Sequence, residues 1–377
     1  MTRYLNWLML TLLALTTTNA SAHKASDGFI YLDQSNPTAS TVRVDLALRD
    51  LSLALPMDSN GDGQLTGAEV KAARAAVTGF VESGLDLRSD AGACILKGTQ
   101  WGLARHSDGP YAATRYDIHC PGDAPATAMN YNLLFDLDPL HRGLVQRTTV
   151  SGESLAVMGP DQRRLDLAAP PSGFETFASF LYEGVVHLLI GLDHILFLLV
   201  LILPATYLQR RQRESAAETG RAGFRARLWQ LTGIVTAFTV AHSITLALAA
   251  LDIVQLPIAW VEMVIALSIL VAAMNVVWPI LGHKTWKLAF GFGLIHGFGF
   301  ASVLGDLTSG VSQTVTALAG FNIGVELGQL GLLIMVFPLL FVLGKYRVYA
   351  RAGVPAMILA VSCISIYWVT ERAGQLY

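Results

Sequence analysis

The chain divides into two stretches by the rhythm of its apolar residues. Between residues 23 and 172 apolar and polar positions alternate in short runs: Phe29-Ile30-Tyr31-Leu32, Val42-Arg43-Val44-Asp45-Leu46 and Tyr131-Asn132-Leu133-Leu134-Phe135, set apart by Gly, Pro, Asn and Asp. This period of two predicts half-buried strands, and their repetition predicts a small β-sandwich. From about residue 174 onward long apolar runs take over, near 178–208, 229–250, 258–280, 287–304, 314–343 and 353–370. Each approaches or exceeds the length that crosses a bilayer as a helix. The boundary falls at Ala169-Pro170-Pro171-Ser172-Gly173, a turn-rich linker. The first residues carry Arg3, an apolar run from Leu5 to Leu15 and the small triplet Ala20-Ser21-Ala22, which reads as a secretory signal peptide over 1–22. The expected fold class is a multi-pass α-helical membrane protein. It has six transmembrane helices within 173–377 and an exported, mainly β domain over 23–172.

Composition agrees with that division. Hydrophobic residues make up 53% of 377, charged residues 14%, and the net charge is −2, which excludes a disordered or nucleic-acid-binding chain. Charge also orients the helices. With the first domain outside, the first, third and fifth loops face inward, and these carry Arg210, Arg211, Arg213, Arg221, Arg225, Arg227, then Lys284 and Lys287, then Lys345, Arg347 and Arg351. The two short outward loops, 251–257 and 305–313, carry no Lys or Arg. The positive-inside rule therefore predicts an inner-membrane protein whose exported domain and C-terminus are periplasmic.

Ionisable groups inside the apolar runs are costly, so they mark a site by default. The first run holds Glu183, His187, Asp193 and His194; at about 3.6 residues per turn, Glu183, His187 and His194 share one helix stripe with Asp193 beside it. The second contributes Thr239, His242 and Ser243, the third Glu262, the fourth His296, and the fifth Asn322, Glu326 and Gln329 on one face. Imidazole suits zinc, nickel, copper and iron, and carboxylates add charge and fix the His tautomer. The competing reading is that these groups only hydrogen-bond between helices. Placed by the topology, they lie in the outer half of the bilayer, while stretches such as 195–204 and 330–343 are almost wholly apolar, so the site is expected to open toward the periplasm. Gly291, Gly293, Gly297 and Gly299 around His296, and Gly320, Gly324 and Gly328 in the fifth run, predict close helix packing.

The exported stretch carries chemistry of its own. Asp58, Asn60, Asp62, Gly63, Gln64, Thr66 and Glu69 fit a twelve-residue EF-hand loop. Asp58, Asn60 and Asp62 supply side-chain oxygens, Gln64 a carbonyl, Thr66 a contact through water, and Glu69 a bidentate carboxylate for Ca²⁺. A good helix is expected from Thr66 to about Ser83, whereas Leu51 to Met57 before the loop is a poor one. Cys94 and Cys120 are expected to form a disulfide, worth about 3 kcal/mol by chain entropy, and Cys363 to be a small buried residue of the last run. His23, as a free N-terminus, is a candidate copper chelator with His106, His119 or His141.

The elements His187-Leu-Leu-Ile-Gly191-Leu-Asp193-His194, Ala241-His242-Ser243, Ile295-His296-Gly297-Phe298-Gly299 and Phe321-Asn322-Ile-Gly324-Val-Glu326 resemble the HupE/UreJ family of membrane proteins. The resemblance covers the whole membrane half. It implies a nickel or cobalt permease linked to hydrogenase and urease maturation, with His187, Asp193 and His194 at the metal-recognition site. Two readings of the cluster stand, with lipid and divalent ions as partners in both. The first is a transition-metal permease using Glu183, His187, Asp193, His194, His242, His296 and Glu326. The second is an intramembrane zinc hydrolase in which three His hold Zn²⁺, Asp193 or Glu326 acts as base, and Ser243 or Asn322 orients substrate. An outward-facing metal receptor or metal-insertion partner is a third possibility.

Overall fold

The period-two runs near the start form strands. In the computed structural model, which describes residues 26–36, 39–106, 108–207, 220–278, 285–308 and 313–374, β1 (Asp27–Gln34) and β2 (Thr41–Ala47) pair antiparallel with Ile30 opposite Val44. The signal peptide, His23, Arg210, Arg211, Arg213 and Lys284 lie outside the described residues, as does the side chain of Arg221. Three short helices follow: α1 (Leu48–Ala54), α2 (Gly67–Ala72) and α3 (Arg74–Gly84). The remaining strands are β3 (Leu85–Ser89), β4 (Gly92–Ala93), β5 (Ile95–His106), β6 (Gly109–His119), β7 (Ala128–Tyr131), β8 (Arg142–Thr149), β9 (Gly152–Met158) and β10 (Arg164–Asp166).

They build two sheets. The larger has the order β5-β6-β2-β1-β8-β9 and the smaller β10-β7-β3-β4. β1 and β8 run parallel, with Ile30 beside Val145, and the other pairs are antiparallel. Ile30, Leu32, Val44 and Val145 of the larger sheet share one buried core with Leu87, Met129 and Tyr131 of the smaller and Val77 and Val81 of α3. Because the side-chain period is two, Phe29 and Leu144 point the other way, toward the helical part. The Cys94–Cys120 disulfide is formed and ties the two ends of the β5–β6 hairpin together.

Two expectations for this region fail locally. Tyr131-Asn132-Leu133-Leu134-Phe135 is not a strand beyond Tyr131: Leu134 has φ +64°, and Phe135 N–H donates to the Leu133 carbonyl in a turn. Leu133, Leu134 and Phe135 are apolar because all three are buried as the chain turns under the core. The helix expected over Thr66–Ser83 is two, α2 and α3, broken at Ala73. The segment before the calcium-type loop is helical only to Ala54, ahead of Pro56.

The helical part begins at α4 (Gly173–Ile190), whose first turn is closed by a capping box: Ser172 Oγ accepts from Glu175 N–H, and the Glu175 carboxylate accepts from Ser172 N–H. Then come α5 (Leu192–Tyr207), α6 (Gly220–Ala250), α7 (Ile258–Val277), α8 (Thr285–Thr308), α9 (Thr314–Leu343) and α10 (Val354–Gly374). Among the described residues four helices, corresponding to α6, α7, α9 and α10, are long and apolar enough to cross a membrane. Leu327, Ile334, Met335, Leu339, Leu359 and Ile366 are exposed on them, as lipid-facing residues are.

The run expected as one span over 178–208 is a bent pair. Gly191 leaves helical geometry at ψ 92°, and α4 and α5 meet at 70°. Space explains the choice of residue: a Cβ on Gly191 would sit 2.8 Å from His194 Nδ1 and 3.1 Å from an Asp193 carboxylate oxygen. Close approach also fixes α4 against α9, since a Cβ on Gly184 would strike the Phe321 carbonyl and one on Gly324 the Leu181 carbonyl. The sheets and helices share a second apolar cluster in which Phe29, Tyr111, Leu144 and Leu155 join Phe180, Leu188, Leu246 and Phe321.

Candidate metal centre

The break at Gly191 positions the first three groups. His187 lies in the last turn of α4, and Asp193 and His194 stand in the first turn of α5, so the straight stripe expected for Glu183, His187 and His194 does not exist. The bend nonetheless folds the chain back, leaving the His187 and His194 rings 5.1 Å apart. α8 brings His296 to within 5.4 Å of His194, and α6 brings His242 to 6.2 Å, ring centre to ring centre. A Cβ on Gly297 would meet the Thr245 hydroxyl and the His242 carbonyl, which is why α8 can lie so close to α6. Asp193, His194 and His296 each offer one ligand atom, and these atoms lie within 4.8 Å of one another. Among the described residues no other group of three does so.

Hydrogen bonds set the tautomers. An ionised Asp193 offers only acceptors, so the 3.0 Å contact with its Oδ1 makes His194 Nδ1 a donor and leaves the Nε2 lone pair free. The Ser268 hydroxyl spends its proton on the Ile265 carbonyl at 2.7 Å; His296 Nε2 therefore donates to Ser268 Oγ at 3.2 Å, which frees the Nδ1 lone pair. His194 Nε2, His296 Nδ1 and both ring nitrogens of His242 are buried without a hydrogen-bond partner. Leaving such atoms unsatisfied in an apolar interior costs on the order of 1–3 kcal/mol each, so four together point to a ligand that binds them. Below the cluster lies an apolar wall: the Phe238 ring is 5.3 Å from that of His296 and the Phe197 ring 5.4 Å, with the two phenyl rings 5.3 Å apart.

Other residues expected at the centre are engaged elsewhere. Glu183 accepts from Arg142 Nε at 3.1 Å, across the boundary with the sheets. Glu326 Oε1 accepts from the Thr236 hydroxyl at 2.7 Å while its Oε2 is buried and unpartnered, and Gln329 accepts from Thr239 at 2.8 Å. Asn322 Nδ2 donates to the Leu318 carbonyl of its own helix, and Ser243 to that of Thr239. Glu262 lies by Arg372, which also donates to the Glu262 carbonyl at 2.8 Å. The sequence reading missed Arg142 and Thr236. Arg142 had no signal at all, whereas Thr236 lies three residues before Thr239, on the same face.

In the sheet-rich part, His106 contacts Asp45 and His141 sits between Ser26 and Tyr131, so these two histidines are tied into local networks. The calcium-type loop has the turns its motif requires, with Gly61 at φ +73° and Gly63 at φ +78°, both N–H groups donating to the Asp58 carboxylate. Glu69 caps α2 by accepting from Thr66, and also takes Ser59; these bonds hold its carboxyl down at about 2.

Residues 162–372, more than half of the chain, match the family described as HupE / UreJ protein. The chain belongs to that family and is a membrane protein. No curated protein matches it.

Proposed function

We propose that the helical part is a divalent transition-metal permease, with nickel or cobalt as cargo. Asp193, His194 and His296 form the central ligand set, and His187 and His242 flank it. The observation that carries this reading is the convergence of three ligand atoms within 4.8 Å beside imidazole nitrogens that have no other partner. Two imidazoles and one carboxylate favour a borderline cation over Mg²⁺ or Ca²⁺. The family's association with nickel and cobalt transport agrees with that donor set. The charge pattern of the loops supports insertion in the inner membrane with the sheets on the periplasmic side and six crossings, α4 with α5 counting as one and α8 as another.

The zinc hydrolase reading has less behind it. Of its two candidate bases, Asp193 is taken up in the ligand set beside His194, and Glu326, like the orienting groups Ser243 and Asn322, is hydrogen-bonded to Thr236 or to its own helix backbone. For the loop at Asp58–Glu69 we propose a Ca²⁺ site serving the stability of the sheet-rich part. Asp58, Asn60, Asp62, Gln64, Thr66 and Glu69 are its ligands, and the turns at Gly61 and Gly63 support the assignment.

The test is elemental analysis of the purified protein after Ca²⁺ and adventitious metal are removed and Ni²⁺ or Co²⁺ is added, with uptake measured in proteoliposomes. One transition-metal ion per chain and concentrative or downhill uptake, both lost in His187→Ala/His194→Ala, is the expected result. Tightly held zinc without uptake would favour the hydrolase. No bound metal and no uptake in folded wild type would overturn both readings.

A further inference from the structure

The approach to the metal centre already holds a cation, supplied by the protein itself. Arg142 opens β8, and its Nε donates to Glu183 Oε2 at 3.1 Å; the two side chains are only 13% and 19% exposed. The guanidinium does not depend on Glu183 for its position, because Nη1 also donates to the carbonyl oxygens of His141 at 2.9 Å and Pro139 at 3.4 Å. That turn is itself anchored: the buried His141 ring bonds Ser26 Oγ at 2.5 Å and the Tyr131 hydroxyl at 2.7 Å.

Glu183 precedes His187 by four residues on α4, so its carboxylate stands one turn nearer the sheets than the His187 ring. From His187 the next ring is His194, at 5.1 Å, and from there the three-ligand group. Counted from the side of the sheets, the order of groups is therefore a carboxylate, then an imidazole, then the full donor set.

We infer that Glu183 is the entry ligand of the metal centre, and that Arg142 is a tethered cation that occupies it until a divalent ion takes its place. The inference rests on the metal-binding reading of the cluster. A guanidinium carries a single charge, spread over a plane, and binds a carboxylate through N–H donors. A divalent ion brings twice the charge and coordinates the carboxylate oxygen directly, so it can compete. Na⁺ and K⁺ have neither advantage, and the Arg142–Glu183 pair excludes them. Once displaced, Arg142 stays on the His141 and Pro139 carbonyls, and its charge behind the ion favours movement away from the sheets, toward His187 and His194. A mere clamp between sheets and helices would leave the kinetics and ion selectivity of binding untouched.

The test is stopped-flow binding of Co²⁺ to the full-length protein in nanodiscs, followed by visible absorption, with and without excess Na⁺. Wild type is expected to bind one Co²⁺ without sensitivity to Na⁺ beyond ionic-strength screening, matched with a bulky organic cation. Arg142→Met should raise the association rate about tenfold, the low end of electrostatic steering, and make it sensitive to Na⁺ specifically. Arg142→Lys should restore Na⁺ exclusion. Glu183→Gln should slow association about tenfold and leave the final stoichiometry at one ion. If Arg142→Met binds Co²⁺ at the wild-type rate with no Na⁺ effect, the inference is wrong. Should that variant fail to fold, a wild-type rate in Glu183→Gln overturns it equally. Absence of any Co²⁺ binding in wild type would instead remove the metal reading beneath it.

Discussion

Acid should loosen the sheet-rich part through one residue, His141. Its ring is fully buried, with Ser26 Oγ on Nδ1 and the Tyr131 hydroxyl on Nε2, and burial pushes its pKa from 6.5 down to about 3. Asp138 nearby pulls the other way and Arg142 adds to the depression. A proton therefore binds the unfolded chain more readily than the folded one, and stability that is complete above pH 6.5 falls as pH drops toward 3. For a single group shifted from 6.5 to about 3, moving from pH 7 to pH 5 raises the opening equilibrium about 25-fold, or about 2 kcal/mol. Glu69 contributes nothing in that window, since its depressed pKa matters only between about 4.5 and 2. Hydrogen exchange of β1 and β8 peptides in the full-length protein at the two pH values, corrected for intrinsic rates, reads this opening directly. His141→Gln keeps a polar group between the two hydroxyls and removes the titration, so its opening free energy should be flat over the same interval. If wild type and His141→Gln show the same pH dependence, the argument fails.

Three further outcomes are expected. Gly184→Ala drives a methyl into the Phe321 carbonyl and should cost about 3 kcal/mol or prevent folding, whereas Gly331→Ala, with nothing near its Cβ, should be neutral or stabilising by up to about 1 kcal/mol in detergent melting curves. Glu69→Gln should shrink the rise in melting temperature that Ca²⁺ gives the wild-type protein, and a wild type that does not respond to Ca²⁺ would rule out the loop as a calcium site. Cys94→Ser should lower stability by about 3 kcal/mol under oxidising conditions and leave the fully reduced protein unchanged, as measured by urea unfolding.

Much of the centre could be read from residue types, because a histidine or carboxylate in an apolar run advertises itself by its cost. His187, Asp193, His194, His242 and His296 do come together. What misled was periodicity: a stripe extrapolated through Gly191 assumes a continuous helix, and nothing in an apolar flank says where the backbone will stop bonding to itself. The sequence also could not show which partners Glu183 and Glu326 find, and in the structure these are Arg142 and Thr236, away from the three-ligand group. In the sheets, β2 alternates in sequence, while Phe29 to Leu32 of β1 are continuously apolar because one face meets the core and the other the helices. Leu133 to Phe135 are an apolar run of the same kind in a buried turn, where burial comes from location and not from pleat.

The bend between α4 and α5 sets the depth of the well in which an ion would rest. Beside the cluster α4 ends, turning its last carbonyls, partly negative, toward the break, while α5 begins with Asp193 and His194 in its first turn and its partly positive N–H end at the same place. A cation there is drawn by one half-helix and repelled by the other. An unbroken span would present neither field, and its imidazoles and carboxylate would hold the ion on ligand strength alone. Because the two fields oppose each other, the break adds little net pull on a cation at its centre, and an ion displaced toward the α4 carbonyls is favoured over one displaced toward the α5 N–H groups.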